Sequence, residues 1–149
     1  MTYIESTPET VFRAFVDSDL SRQFWLHHQV SDWKPGSRWE HRRSDGSGVV
    51  DIVGTVLECE APRRLVLTWA RPFEADKVES FSRVAIEIES QGPVVCLTVT
   101  HDQLEQGSEM HQGLEAGGPK VLSNLKTFLE TGHTLQLDWG GLKRLGRWE

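Results

Sequence analysis

Residues 119–132 read Pro-Lys-Val-Leu-Ser-Asn-Leu-Lys-Thr-Phe-Leu-Glu-Thr-Gly. The large apolar side chains of this stretch recur every three or four positions, which predicts an amphipathic helix with one apolar stripe. The stripe consists of Val121, Leu122, Leu125, Phe128 and Leu129. Gly132 stands where a left-handed residue commonly ends a helix. We predict a helix over 109–131, and its apolar stripe needs a surface to cover.

The middle of the chain supplies that surface as strands. Val84, Ile86 and Ile88 alternate with charged residues, a pattern typical of a strand with one buried face. A glycine inside a strand, Gly54, predicts a bulge or a close approach of two backbones. After a short first strand that ends at Ile4, strands are predicted over 30–33, 38–42, 49–60, 65–70, 81–89 and 94–102.

Two short helices are predicted between the first strand and the others. Thr7 and Pro8 have the types preferred at the N-cap and first position of a helix. A second helix is predicted over 20–25, capped by Ser18 or Asp19. The chain is therefore expected to have an α+β fold: a curved antiparallel sheet of about six to seven strands wrapped round one long C-terminal helix, with two short helices near the N-terminus.

A strongly twisted sheet and a single helix do not match in curvature, so a hollow is expected between them. Such a hollow is a natural site for a ligand. We assign residues 1–132 to this domain and residues 133–149 to a C-terminal tail that packs on the same domain or on a partner.

The bulk composition excludes several classes of function. The net charge of -6 and the pI of about 5.5 argue against nucleic-acid binding, which favours a basic surface. No apolar run approaches the ~20 residues of a membrane span. The start of the chain has no signal-peptide pattern, so a cytoplasmic location is expected. Cys59 and Cys96 lack metal-ligand spacing and are expected to be reduced.

Several short phrases of the sequence, taken in order, are similar to those of one superfamily. They lie at 6–12, 33–37, 54–58, 62–69 and 117–122. In this order they resemble the START-like, helix-grip (SRPBCC) superfamily, and within it the branch named after the activator of the heat-shock chaperone ATPase. The resemblance implies the helix-grip fold. It leaves function open, because members include ligand carriers, enzymes and chaperone partners.

One position departs from the family pattern. Family members often have tryptophan just before the proline of the long helix, where this chain has Gly118. A missing indole leaves a gap or widens the mouth of the pocket. We expect Trp139 or Trp148 of the tail, from the same chain or from a partner, to fill that gap.

Aromatic side chains are the first candidates for contact with a ligand. Trp25, Trp39, Trp69 and Phe81 are expected at or near the cavity, and Trp69 is the strongest of them because it shares a strand face with Leu65 and Leu67. Aromatic residues in such a pattern more often pack in the core than line a ligand site, and both interpretations stay open.

The second group of candidates could hydrogen-bond a ligand or act as acid and base. His101 shares a strand face with Val95, Leu97 and Val99, and His111 lies on the long helix, where Leu114 is a further candidate contact. The alternative is that these histidines lie at the rim and bond to backbone or water. Arg83 is a weaker candidate for orienting the ligand. No cofactor is predicted, and no metal site either, since adjacent residues of an extended stretch, such as His27 and His28, point in opposite directions.

The first hypothesis is therefore a domain that binds a small, largely apolar molecule between the sheet and the long helix. A cyclase- or dehydratase-like enzyme that uses the same cavity is the alternative, and it requires an inward-facing ionisable group. A chaperone-interacting module is the third hypothesis and requires an exposed apolar patch. A homodimer through the tail or a sheet edge is compatible with each.

Overall fold

The computed structural model describes residues 1–77, 81–103 and 109–137, with the side chains of the last range described from residue 118. In these ranges the chain forms seven strands, three α-helices and one 3-10 turn. Their bounds are β1 Thr2–Ile4, α1 Pro8–Val16, α2 Ser18–Phe24, β2 His27–Val30, β3 Arg38–Arg43, β4 Val50–Glu60, β5 Arg64–Trp69, the 3-10 turn Pro72–Glu74, β6 Ser82–Gln91, β7 Val94–Asp102 and α3 Glu109–Thr131.

The strands form one antiparallel sheet in the order β1-β7-β6-β5-β4-β3-β2. Neighbours in sequence are neighbours in the sheet, except that the short β1 pairs with the last strand, β7. The predicted α+β helix-grip fold is confirmed: the sheet curls into a half-barrel and α3 is its long helix. β1 pairs with only Val95, Cys96 and Leu97 of β7, as expected for a very short first strand.

The helix starts follow local chemistry. The Thr7 hydroxyl accepts a hydrogen bond from the Thr10 N–H at 3.2 Å, which confirms it as the cap of α1. The second helix, predicted over 20–25, occupies Ser18–Phe24, and its cap is Asp17 instead of Ser18 or Asp19. The Asp17 carboxylate accepts from two N–H groups of the first turn because it directly precedes the helix.

The strand predicted over 30–33 lies earlier, at His27–Val30. The chain leaves the sheet before Trp33, whose φ of +61° is incompatible with a strand. Large side chains seldom adopt this left-handed conformation, so Trp33 is held there by its packing against the core.

Gly54 confirms the predicted close approach. A side chain at this position would collide with the Thr68 carbonyl and with the indole of Trp39. The Trp39 ring from β3 crosses β4 over the bare Gly54 backbone and donates its indole N–H to the Thr68 oxygen of β5 at 2.8 Å. One side chain thus joins three strands.

The helix α3 has the predicted bounds, and its apolar stripe packs on the inner face of the sheet. Val121 and Leu125 are buried, while Leu122, Phe128 and Leu129 are half-buried against the core. Gly132 ends the helix at φ +85°, and its N–H bonds to the Phe128 carbonyl, as a left-handed C-cap requires.

A buried polar residue on the same helix joins three segments. The Asn124 side chain donates to the Phe24 carbonyl at 2.6 Å and accepts from the Leu135 N–H at 2.7 Å. The C-terminal half of α3 is therefore fixed both to the end of α2 and to the start of the segment after the helix.

Candidate functional site

A cavity of about 100 Å³ lies between the inner face of the sheet and α3. Its wall is almost entirely apolar. The central strands β5, β6 and β7 contribute aliphatic side chains, namely Leu65, Leu67, Val84, Ile86 and Val99. Phe15 of α1 and Val121 and Leu122 of α3 also line it. An apolar cavity of ~150 Å³ can hold a benzene-sized molecule, so this one is of the size of a single ring.

Tryptophan dominates the rest of the wall. Trp25, Trp39 and Trp69 line the cavity, as expected from the sequence, and Trp33 joins them. Trp39 and Trp69 are in ring contact, with centroids 5.3 Å apart. Sequence reasoning missed Trp33 because a strand was predicted there. Phe81, the fourth expected aromatic, is half-buried just before β6 and does not belong to the described wall.

The polar side chains in the described wall are Gln29 and His101. The His101 Nε2 lies 2.7 Å from the Ser82 hydroxyl, which also donates to the Trp69 carbonyl at 3.2 Å. Among the described residues the other ring nitrogen, Nδ1, makes no hydrogen bond. Burial lowers the pKa of His101 to about 4 against a small opposing effect of Asp102, so the ring is neutral at pH 7.

The expectation that Arg83 orients a ligand is not met. Arg83 and Asp102 lie on the opposite side of their strands from Val84 and His101, and they pair with each other at 3.0 Å. Strand alternation places Arg83 outside the cavity, so it cannot orient a ligand there.

Gln29 has little bonding capacity left for a ligand. Its Nε2 donates to the Phe15 carbonyl at 2.7 Å and to the Ser21 hydroxyl at 3.1 Å, and its Oε1 accepts from His41 Nδ1 at 2.9 Å. Both amide hydrogens are therefore used. No sequence pattern indicated Gln29, because a single glutamine in a polar stretch is usually solvent-exposed.

His41 is completely buried beside the cavity, behind the tryptophans. Its ring stacks on His27 with centroids 4.1 Å apart and contacts the edge of Trp25 and the ring of Trp69. Since Nδ1 donates to Gln29, Nε2 carries no proton, and it has no hydrogen-bond partner among the described residues. Burial, with smaller effects of His27 and His28, holds the pKa of His41 well below its usual range.

His27 continues this cluster away from the cavity. Its Nε2 lies 2.7 Å from the Asp51 carboxylate, which Arg43 also binds with two hydrogen bonds. Burial lowers the pKa of His27 more than Asp51 raises it, so this contact is a hydrogen bond from a neutral ring. His28, the next residue, points the other way and bonds to Ser44. In the described part of the chain no group of His, Cys, Asp and Glu is arranged to hold a metal.

Gly118 of α3 borders the cavity one turn before Val121 and Leu122. No heavy atom of the described residues lies within 4 Å of the place that a side chain would occupy there. The expectations for His111 and Leu114 as ligand contacts, and for Trp139 and Trp148 as fillers of the gap, lie outside the described side chains.

A sheet wrapped round one long helix, with an apolar cavity between them, defines the helix-grip class of proteins. Residues 5–130 match the family described as activator of Hsp90 ATPase homolog 1-like protein, and the chain belongs to this family. No curated protein sequence matches the chain.

Solved structures of the same fold agree with this assignment. The Aha1 dimer from Colwellia psychrerythraea is 18% identical, over 88% of this chain and 93% of that one, with a TM-score of 0.71. CalU16 from Micromonospora echinospora is 17% identical, over 98% and 78%, with a TM-score of 0.68. An HSP90 activator from Plasmodium falciparum is 21% identical, over 85% and 91%, with a TM-score of 0.68. At these identities the similarity shows the fold alone.

Among the described helices, none is both long enough and apolar enough to cross a membrane.

Proposed function

We propose that this chain binds a small, uncharged, largely apolar molecule in the cavity between the sheet and α3. The supporting observation is the wall itself: four tryptophans and several aliphatic side chains surround a space about one ring in size. Burying apolar surface provides roughly 25 cal/mol per Å² before the entropic costs of binding. A charged ligand would lose its hydration without gaining a charged partner there.

His101 supplies the polar contact in this proposal. Because the Ser82 hydroxyl donates its proton to the Trp69 carbonyl, His101 Nε2 carries the ring proton and donates to Ser82. Nδ1 of the neutral ring is then an acceptor and can form one hydrogen bond with a hydroxyl group of the ligand. The amide group of Gln29 is already hydrogen-bonded within the protein, so this residue contributes to the shape of the cavity and not to a polar contact. The ligand is then an apolar ring that carries a single polar group, bound by residues 1–132 in the cytoplasm.

Calorimetric titration with phenol and benzene tests the proposal. We expect saturable binding of both compounds with a negative change in heat capacity, the mark of buried apolar surface. Phenol should bind about fivefold more tightly than benzene, since one hydrogen bond contributes ~1 kcal/mol. In His101→Phe the two compounds should bind alike. A wild-type chain that binds neither compound would contradict the proposal.

Two aromatic truncations test the location of the site. Trp69→Ala removes part of the wall, whereas Phe73→Ala removes an aromatic ring that is 70% exposed and does not belong to the described wall. We expect the first variant to lose benzene binding and the second to keep it. Circular dichroism identifies the variants that remain folded, and Trp69→Phe replaces Trp69→Ala if the latter unfolds. Equal binding by both variants would mean that the site lies elsewhere.

An enzyme that uses the same cavity is the second candidate, because an ionisable group does face inward. The pKa of about 4 weakens this candidate. General bases work best when their pKa is near the operating pH, and His101 is several units lower. Binding without chemistry therefore agrees better with the site.

A chaperone contact is the third candidate and is favoured by the family match. It would use the outer surface, where β6 carries Arg83, Glu87 and Glu89 instead of an apolar patch. Addition of the chain to purified Hsp90 tests it. An unchanged ATPase rate, together with no co-migration in gel filtration, would exclude this role and would leave the cavity proposal intact.

A further inference from the structure

The cavity wall contains one position without a side chain. Gly118 lies on the same face of α3 as Val121 and Leu122, and all three border the cavity. No heavy atom of the described residues comes within 4 Å of the position that a Cβ would take. By contrast, the space above Gly54 is filled by the Trp39 ring. The space at Gly118 is thus not needed by the packing of the described residues.

The geometry of the helix determines where this space lies relative to the cavity. Residues 118, 121 and 122 are three and four positions apart, so they lie one above another on the helix. A side chain at 118 would continue the row formed by Val121 and Leu122. Among the described residues, the space it would fill therefore adjoins the cavity next to Val121 and Leu122.

We propose that Gly118 sets the length of the ligand. This inference rests on the proposed function. The ring of the ligand lies among Trp25, Trp39 and Trp69, and a short alkyl extension runs past the Gly118 backbone. The expected ligand class is an alkyl-substituted ring longer than the roughly ring-sized cavity itself. The residue acts by leaving room, because any larger side chain would shorten the site.

A series of probes of increasing length tests this role. Benzene, propylbenzene and pentylbenzene are titrated calorimetrically into the wild type, Gly118→Ala, Gly118→Leu and Ser123→Leu. Ser123 is exposed on the same helix and away from the cavity, so its leucine variant is the matched control. In the wild type and the control, affinity should rise by up to about fourfold for each methylene that is buried.

Gly118→Leu should bind benzene within about twofold of the wild type and pentylbenzene at least tenfold more weakly, since leucine occupies the space of the chain. Gly118→Ala should show a smaller loss and a raised Tm, because alanine is the better helix former and its methyl group meets none of the described residues. A raised Tm would show that Gly118→Ala is folded, so its weaker binding could not be a result of unfolding.

The possible failures are distinct. If the wild type binds the whole series and Gly118→Leu keeps the same dependence on length, Gly118 does not set the length and the cavity proposal survives. If the wild type binds no member of the series, both proposals are overturned together. Equal losses in Gly118→Leu and Ser123→Leu would also overturn the role of Gly118, because the effect would then belong to the helix as a whole.

Discussion

Two histidines on the inner face of the sheet lie in very different regions. His41 of β3 lies in a filled region, where His27, Gln29 and the tryptophans surround it completely. His101 of β7 lies at the cavity wall with Ser82 behind it. Burial lowers the pKa of both rings. A lowered pKa alone therefore does not distinguish a histidine that borders the cavity from one that is packed on all sides.

The filled region should show the larger effect on stability. We expect His41→Ala to lower the free energy of unfolding by about 4 kcal/mol, because it opens a cavity under the tryptophans and leaves Gln29 Oε1 without its donor. Urea denaturation measures the change. His28→Ala, on the outward side of the adjacent strand, should cost less than about 1 kcal/mol. Similar losses of unfolding free energy in the two variants would contradict the proposed difference between the filled region and the outward side of the sheet.

The second prediction concerns acid. Histidine in an unfolded chain titrates near pH 6.5, whereas folded His101 titrates near 4. Between these values the unfolded chain binds more protons, so stability must fall as the pH drops from 6.5 to 4. The contribution of His101 is about 3 kcal/mol over this window.

Urea denaturation at several pH values compares the wild type with His101→Phe. The variant should lose the His101 part of the slope and keep the part that comes from His27, His28 and His41, whose pKa values burial also lowers. His133→Ala, which removes an exposed histidine, provides the matched control. If His101→Phe keeps the whole wild-type slope, the ring is not held neutral by the wall.

The smallest expected effect concerns Ser82. Its hydroxyl bonds to both His101 and the Trp69 carbonyl. We expect Ser82→Ala to cost about 1 kcal/mol of stability and to reduce the preference for phenol over benzene, because the His101 ring loses the group that orients it. Benzene affinity should stay constant. A loss of benzene affinity as large as that of phenol would indicate damage to the cavity instead of a change in ring orientation.

Regular patterns made most of the fold predictable. The bounds of α3 and β7, the Thr7 cap and the Gly132 cap follow from local spacing and residue type, which depend on few long-range contacts. The predicted position of β2 was wrong because Val30 and Trp33 fit a strand pattern, whereas Trp33 adopts a left-handed backbone conformation where it packs on the core. Tertiary contacts overrode the local preference there.

The site was predictable only in part. Trp39, Trp69 and His101 share inward strand faces with aliphatic residues, so alternation located them. Gln29 and Trp33 reach the cavity because of the path that the chain takes between α2 and β3. The spacing of apolar residues in the sequence does not indicate this path. The vacancy at Gly118 was suggested by the family pattern, but its extent depends on which side chains approach it from other elements.

The Trp39 indole lies over Gly54 and reaches Thr68, so positions 39 and 54 share one volume. We therefore expect the residues at these two positions to vary together among related proteins. A lineage cannot acquire a side chain at 54 by losing the ring at 39 alone, because the Thr68 backbone carbonyl lies still closer to the place of that side chain. Among homologous sequences, tryptophan at the first position should therefore occur together with glycine at the second.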